Sequence, residues 1–291
     1  MTDSLAPGFD SLTPLLDRFS LKAGVFYSGT LCGIHRFPDE KTEGHLHLVK
    51  KGPVEIASKR GKPIKITEPS VVLLPIAHAH RLVANNRAGA EVVCGTIRFG
   101  GGGANPVTEA LPRVVCVKLV DLPGVGALLD LLFAEAFDDG PGRQPILDRL
   151  CEVLVLRLLR HLLEQGVTRT GTLAGLADPK IAKVLAAIHR DPARQWTLPE
   201  MADACGMSRA RFAARFHSVV GQTPADYLAG WRVIIAQQML RRGLAVKQVA
   251  IDVGYGSSSA LSRAFSRKVG KGPAAWLAEV RKMDGRGIIA G

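Results

Sequence analysis

The sequence predicts an α+β fold, with an N-terminal antiparallel β-barrel followed by an all-α domain. Between residues 20 and 120, short runs rich in Val and Ile alternate with breaks such as Pro53 and Asn85-Asn86, a pattern typical of strands. Strands of this length and spacing close most readily into a small barrel or sandwich. From residue 124 onward, the apolar residues recur at helical spacing instead.

Residues 121–167 are predicted to form two helices. The second, PILDRLCEVLVLRLLRHLLEQG, begins with proline and ends with glycine, as helices often do. Two interpretations of its wide apolar surface remain open: burial within the chain, or contact with a second subunit, which would make this a dimerisation segment. The residues of the apolar stripe are Leu147, Leu150, Cys151, Leu154, Leu158 and Leu162.

Residues 168–177, TRTGTLAGLA, have the small side chains of a linker, and residues 178–291 are predicted to be helical. An internal repeat lies in this last segment, between residues 206–228 and 254–277. Most matched positions are apolar or turn-forming: Phe212 with Leu261, Phe216 with Phe265, Gly221 with Gly270, Pro224 with Pro273, and Tyr227 with Trp276. Such a short duplicated unit indicates two copies of one supersecondary motif.

Each copy is predicted to be a helix-turn-helix. In the first, Thr197 and Glu200 form a capping box that begins one helix, and Ser208 caps the next. Gly206 suits the left-handed position between them. The segment between the copies, PADYLAGWRVIIAQQMLRRG, predicts one long helix that fixes the spacing of the two motifs.

The positive charge is concentrated in the C-terminal part. Residues 176–291 carry 18 Lys or Arg and 8 Asp or Glu, whereas the whole chain has a net charge of +12. A basic helical domain with two helix-turn-helix motifs indicates binding to DNA, because the second helix of each motif enters the major groove. An RNA-binding role is not favoured, since aromatic residues make up only 5% of the chain.

Residues 178–281 resemble the DNA-binding domain of the AraC/XylS family of bacterial transcription regulators. The resemblance rests on WTLPEMADACGMSRARFAARFHSVVGQTPADYL and VKQVAIDVGYGSSSALSRAFSRKVGKGPAAW. It implies binding to double-stranded promoter DNA and contact with RNA polymerase if the protein is an activator. If residues 121–167 are the dimerisation segment, the protein is a homodimer. The implied base-facing positions are Ala210, Ala213 and Ala214 in the first motif and Ser258, Ser259, Ser262 and Arg263 in the second.

The alanines in the first motif depart from the large polar side chains usual at those positions in the family. Either Arg209, Arg211 and Arg215 contact DNA from the flanks, or base recognition by that half is weak. Alanine can still contact a thymine methyl group.

Residues 12–120 resemble the cupin-type sensor domain of one branch of the same family, the RclR-like branch. The matching stretches are HLHLVKKGPVEI, PSVVLLPIAHAHRL and VVCGTIRFGGGGANPVTEALP. The resemblance implies a cupin-like β-barrel over residues 1–120 that senses an oxidant or a small effector. The sequence does not indicate which signal is sensed.

Three histidines stand where cupins bind metal: His45 and His47 as an HxH pair, and His80 further along the chain. The acidic ligand is missing, and Lys50 and Lys51 stand near its place. Without it we do not predict an enzyme. The alternatives are a partial zinc site, as in a metal-binding cupin enzyme or a zinc-responsive regulator, and histidines that are simply hydrogen-bonded.

Cys32 and Cys94 are the candidate redox residues. Each precedes a glycine in a strand-like run, and basic side chains nearby would favour the reactive thiolate. The alternative is that they are small core residues. A disulfide between them requires Cα atoms within about 7 Å.

The five cysteines are scattered without CxxC pairs, which argues against a secreted disulfide scaffold. We see no signal peptide at the N-terminus and no apolar run of about 18 residues. The sequence therefore predicts a cytoplasmic protein without a membrane span.

Overall fold

The computed structural model describes residues 10–38, 43–58, 61–100, 105–167 and 170–286. Residues 1–9 of the predicted sensor domain, residues 168–169 of the predicted linker and residues 287–291 of the predicted helical domain lie outside the described residues. The chain divides into a strand-rich unit, within Ser20–Gly100 and Pro106–Thr168, and a helical unit that includes Arg169–Gly291 and the N-terminal segment up to Phe19.

Within its described residues, the strand-rich unit has nine strands in two antiparallel sheets, ordered β1-β8-β3-β6-β9 and β2-β7-β4-β5. The strands are β1 (Leu21–Leu31), β2 (Gly33–Phe37), β3 (Gly44–Lys51), β4 (Val54–Ser58), β5 (Ile64–Ile66), β6 (Ser70–Leu74), β7 (His80–Ala84), β8 (Ala90–Phe99) and β9 (Val115–Lys118). The α+β class is confirmed.

In the described residues, the two sheets do not join into the closed barrel that the sequence predicts. They instead share one core, to which β3 and β6 contribute Val49 and Val72, and β4 and β7 contribute Ile56 and Leu82. Burying the apolar faces of both sheets against each other satisfies the hydrophobic pattern without a continuous ladder of strands. The alternating Val and Ile pattern is the same in both architectures.

Helix α2 (Pro106–Ala110) precedes β9, and the middle segment forms α3 (Gly126–Ala136) and α4 (Arg143–Glu164). Helix α4 lies along the edge strand β1. Asp148 Oδ1 accepts a hydrogen bond from the backbone N–H of Val25 at 2.8 Å, and Gln144 Nε2 donates to the Val25 carbonyl at 2.6 Å. These side chains satisfy backbone groups at an irregularity in the β1–β8 pairing.

The apolar stripe of α4 is buried within the chain. Leu147, Cys151, Leu154, Leu158 and Leu162 are all buried, and Leu150 is half-buried. Contacts of α4 with β1 and α3 cover this face. Another face of the helix leaves Ile146, Val153 and Leu156 exposed.

The helical unit begins with α1 (Thr13–Leu16), which precedes the strands in the chain. Its residue Leu15 and the following Phe19 are fully buried, and the Phe19 ring packs edge-on against Trp231 at 5.5 Å. Residues 10–19, which the sequence assigned to the sensor domain, therefore pack with the helical unit. The other helices are α5 (Thr172–Ala177), α6 (Ile181–Arg190), α7 (Leu198–Ala204), α8 (Arg209–Val220), α9 (Pro224–Arg241), α10 (Val246–Asp252), α11 (Ser258–Val269) and α12 (Pro273–Arg286).

Helix α5 lies in the segment interpreted as a linker. Its residues Leu173 and Leu176 are buried, and a Cβ on Gly175 would lie only 2.5 Å from Leu185 Cδ1. The small side chains that suggested a flexible connection instead allow close packing of α5 against α6 and α8.

The buried stripe of α4 gives a stability test. Leu154→Ala should lower the free energy of unfolding by about 2–5 kcal/mol, because it leaves a cavity in a packed core. Leu131→Ala, which truncates an exposed leucine of α3, is the matched control and should change it by no more than about 0.5 kcal/mol. Urea unfolding of both variants measures the difference, and equal losses would contradict the packing of α4.

Candidate functional site

The first helix-turn-helix, formed by α7 and α8, is built as the sequence predicts. Thr197 and Glu200 form the capping box, with the Thr197 N–H donating to Glu200 Oε2 at 2.8 Å. Gly206, with φ of 60°, follows α7. The Ser208 hydroxyl then caps α8 by accepting from the Arg211 N–H. These local bonds set where both helices begin.

The second motif, α10 and α11, repeats this arrangement with different residues. Gly254 turns the chain with φ of 88°, and a Cβ there would lie 2.5 Å from the Ala193 carbonyl oxygen. Only glycine fits this close approach. The Ser257 hydroxyl caps α11 by accepting from the Ala260 N–H at 3.2 Å.

Both second helices are anchored by the repeated core positions. Phe216 of α8 packs edge-on against Tyr227 at 5.7 Å, and Phe265 of α11 packs in the same way against Trp276 at 5.6 Å. Helix α9 connects the motifs with 18 residues, a length of about 27 Å.

Most of the predicted DNA contacts are accessible. On α8, Arg209, Ala210, Arg211 and Ala214 are exposed. On α11, Ser259 and Arg263 are exposed, whereas Ser258 and Ser262 are half-buried. The exposed positions give each second helix a solvent-facing surface with at least one arginine.

Two predicted residues have partners within the fold. Arg215 forms an ion pair with Asp178, whose Oδ2 lies 2.7 Å from Nη2 and 2.9 Å from Nε. Asp178 also accepts hydrogen bonds from the N–H groups of Lys180 and Ile181 at the start of α6. The pair thus fixes α8 against α6, a role that the sequence did not reveal. Ala213 lines a cavity against α7 and α9.

The predicted histidines and one predicted cysteine meet inside the strand-rich unit. His47 on β3 is opposite Cys94 on β8, and its Nδ1 lies 3.1 Å from the Cys94 Sγ. Its Nε2 lies 2.7 Å from Nε2 of His80, on β7 of the other sheet. The His80 Nδ1 is 2.9 Å from the His78 carbonyl oxygen. We call these residues the Cys94–His47–His80 chain.

The direction of each hydrogen bond follows from the His78 carbonyl, which only accepts. His80 Nδ1 must donate to it, so Nε2 of neutral His80 accepts from His47 Nε2–H. His47 Nδ1 then accepts from the thiol of Cys94. Every member is satisfied as a neutral group, which suits a buried site.

Burial keeps this chain neutral. It lowers the pKa of His47 well below the ordinary value, and lowers that of His80 to about 4. Burial also raises the pKa of the Cys94 thiol to about 12. Cys94 is therefore a protonated thiol at neutral pH, contrary to the thiolate that nearby basic residues suggested.

This arrangement does not fit a zinc ion. Two nitrogens bound to one tetrahedral zinc at about 2.0–2.1 Å stand about 3.4 Å apart, and His47 and His80 are closer than that. His45 is buried beside them, with its ring 5.0 Å from that of His80. Among the residues that the structure describes, no group of three histidine, cysteine or acidic side chains is placed to hold a metal.

Cys32 lies far from Cys94. The β1–β8 pairing places Tyr27 opposite Cys94 and Leu31 opposite Ala90. Cys32 is thus about five residues along the strand from the level of Cys94, roughly 16 Å. A disulfide between them would need this distance to fall to about 7 Å. Cys32 is exposed and Cys94 is buried.

Comparisons with known proteins agree with this architecture. A cupin family model matches residues 10–164, and a helix-turn-helix domain model matches residues 201–279. The chain is 39% identical over 261 residues to the HTH-type transcriptional regulator AlkR of Acinetobacter baylyi, covering 78% of this chain and 85% of AlkR. This chain belongs to the AraC/XylS family of transcription regulators. Within it, the protein has the cupin-type N-terminal region that the sequence indicates.

Two further relatives are similar to this AraC-type regulator. The RCS-specific HTH-type transcriptional activator RclR of Escherichia coli is 29% identical over 242 residues, which cover 81% of this chain and 85% of RclR. A putative AraC-like transcription regulator of Streptomyces lividans is 39% identical over 189 residues, 62% of this chain. The chain spans 61% of that relative's length.

The described helices include none that is long and apolar enough to cross a membrane.

The different states of the two cysteines can be measured by alkylation at pH 7. With a pKa of about 12, on the order of 10⁻⁵ of Cys94 is thiolate, so iodoacetamide should modify a variant retaining only Cys94 very slowly. A matched variant retaining only Cys32 should react readily. Unfolding in urea should bring the two rates together. Equal rates in the folded protein would contradict the conclusion that the Cys94 thiol is protonated in the Cys94–His47–His80 chain.

Proposed function

We propose that this protein is a sequence-specific transcription regulator whose helical unit binds promoter DNA. The observation that carries the proposal is a pair of helix-turn-helix motifs joined by α9, each with an exposed second helix that bears arginine. The basic charge of this unit supplies attraction to the phosphate backbone. Recognition of bases then follows from the side chains on α8 and α11.

The two motifs present different surfaces to the major groove. Arg263 of α11 can donate two hydrogen bonds to one guanine, and Ser259 can bond to base edges or phosphates. On α8, the methyl groups of Ala210 and Ala214 can contact thymine, with Arg209 and Arg211 beside them. The two half-sites should therefore differ in sequence.

For the strand-rich unit we propose sensing of an oxidant or a small effector. The Cys94–His47–His80 chain supports this, because it is a polar connection between the two sheets within an apolar core. A two-electron oxidant such as hypochlorous acid would convert the Cys94 S–H to S–OH and release HCl. The added oxygen must then fit where Cys94 is fully buried, which changes the packing between the sheets. Because the thiol is neutral, a slow reaction or prior opening of the unit is implied.

A homodimer is part of the proposal, and α4 offers a surface for it. Ile146, Val153 and Leu156 recur at helical spacing on a face that the chain leaves exposed. A second copy of α4 would cover these side chains. If the regulator is an activator, RNA polymerase is a further partner.

The base contact of Arg263 can be tested on a DNA site selected by the full chain from a random library. Arg263→Ala should weaken binding to the selected site by about 1–3 kcal/mol and relax the preference at one base pair. Arg267→Ala, an exposed residue one turn further along α11, is the matched control and should weaken selected and random DNA alike. If Arg263→Ala also weakens binding to selected and random DNA equally, Arg263 contacts phosphate only.

The sensing proposal predicts the response of a reporter promoter to hypochlorous acid. Cys94→Ala should abolish the response and Cys32→Ala should weaken it. Cys205→Ala, which alters a buried cysteine of the helical unit, should leave it intact. A double Cys32→Ala, Cys94→Ala variant that responds normally would contradict sensing by these two thiols and would place the sensing group elsewhere, such as at His47 and His80.

A further inference from the structure

The helical unit contains a cavity of about 440 Å³ beside the recognition helix α8. Its walls are mostly apolar and come from Trp196, Leu198, Met201, Ala213 and Leu228. Small-molecule sites commonly have volumes of about 300–1,000 Å³, apolar walls and a few polar groups. Of the residues predicted to face DNA, Ala213 is among those that line this cavity, whereas Arg209, Arg211 and Arg263 are not.

Arg232 of α9 provides a positive charge in the wall. It is only 7% exposed, and its hydrogen bonds go to the neutral carbonyl oxygens of Pro192 at 2.7 Å and Arg194 at 2.9 Å. In the described part of the chain, no carboxylate is within ion-pair distance of it. Asp191 acts on it only from further away. A buried cation without a charged partner is costly, and a bound anion would offset that cost.

Tyr255 lines the same cavity and adds a second polar group. Its hydroxyl is buried, with almost no accessible surface and no hydrogen-bond partner among the residues that the structure describes. The Arg232 guanidinium carbon lies 5.4 Å from the centre of its ring, so the two groups are neighbours. Buried hydroxyl groups without partners are rare in native proteins, and a ligand in the cavity would supply the missing partner once the Tyr255 side chain turns toward it.

We propose that this cavity binds a hydrophobic monocarboxylate. The carboxylate accepts hydrogen bonds from Arg232 and, once the Tyr255 side chain turns toward the cavity, from its hydroxyl. The apolar body of the ligand packs against Trp196, Met201 and Leu228. A guanidinium and a carboxylate match in charge and in the geometry of their hydrogen bonds. One cation and one hydroxyl suit a single negative charge, whereas a phosphate dianion would need more donors. This site lies in the unit proposed to bind DNA, yet ligand binding needs no DNA.

Titration calorimetry of the full chain with octanoate tests the proposal, with octanamide as the uncharged comparison. Octanoate should bind with a stoichiometry of one at this site, and octanamide should bind at least about tenfold more weakly, because it lacks the charge. The measurement does not depend on promoter binding. A failure here and a failure of DNA recognition are therefore separate results.

Tyr255→Phe removes only the hydroxyl group and so tests its contribution to octanoate binding. It should weaken octanoate binding by about tenfold or more, because a hydrogen bond to a charged group is lost. It should not lower the urea midpoint, because no group of the protein loses a partner. Tyr227→Phe is the matched control: its hydroxyl bonds to His189 at 2.6 Å, and it is not among the residues that line the cavity. That variant should bind octanoate normally.

Ala229→Leu fills the cavity from α9 and should abolish binding while the chain remains folded. Three results would overturn the proposal: no binding of octanoate to the wild type at millimolar concentration, equal binding of octanamide, or unchanged binding in both Tyr255→Phe and Ala229→Leu.

Discussion

Helix α9 is the element on which the DNA-binding half depends, because both helix-turn-helix motifs pack against it. Tyr227 near its start contacts Phe216 of the first motif, and Arg241 at its end lies over Trp276, which packs on the second. Arg232, near its middle, bonds to the two carbonyl groups that precede α7. One continuous helix therefore sets the separation and orientation of the two recognition helices. A change in the packing of α9 would affect both motifs together.

In the strand-rich unit, the comparable constraint is the Cys94–His47–His80 chain. It connects one sheet to the other with hydrogen bonds that are all satisfied only when each group is neutral. The same chain explains why a cupin without its acidic ligand still keeps its histidines buried. Their contacts hold the sheets together, and a metal ion is not needed to account for their positions. A chemical change at Cys94 would therefore act on sheet packing directly.

The sequence predicts well what depends on local contacts. The capping box at Thr197, the Ser208 cap and the repeated apolar positions each follow from a few neighbouring residues, and the structure has them. The sequence predicts poorly what depends on distant packing. Helix α5 seemed a linker because small side chains suit both turns and close contacts. The ion pair of Arg215 was not foreseen, because its partner Asp178 is 37 residues away in the chain. Two packed sheets and a closed barrel share one alternating pattern, so that pattern did not separate them.

The fixed spacing imposed by α9 is the central claim, and the separation of the two half-sites in DNA tests it most directly. Binding of the full chain should be measured on a selected site and on the same site with five base pairs inserted between its halves. Five base pairs move the second half-site by half a helical turn. If α9 holds the motifs rigidly, the insertion should reduce affinity to that of one half-site. Unchanged affinity, with both half-sites still covered by the protein, would contradict the fixed spacing.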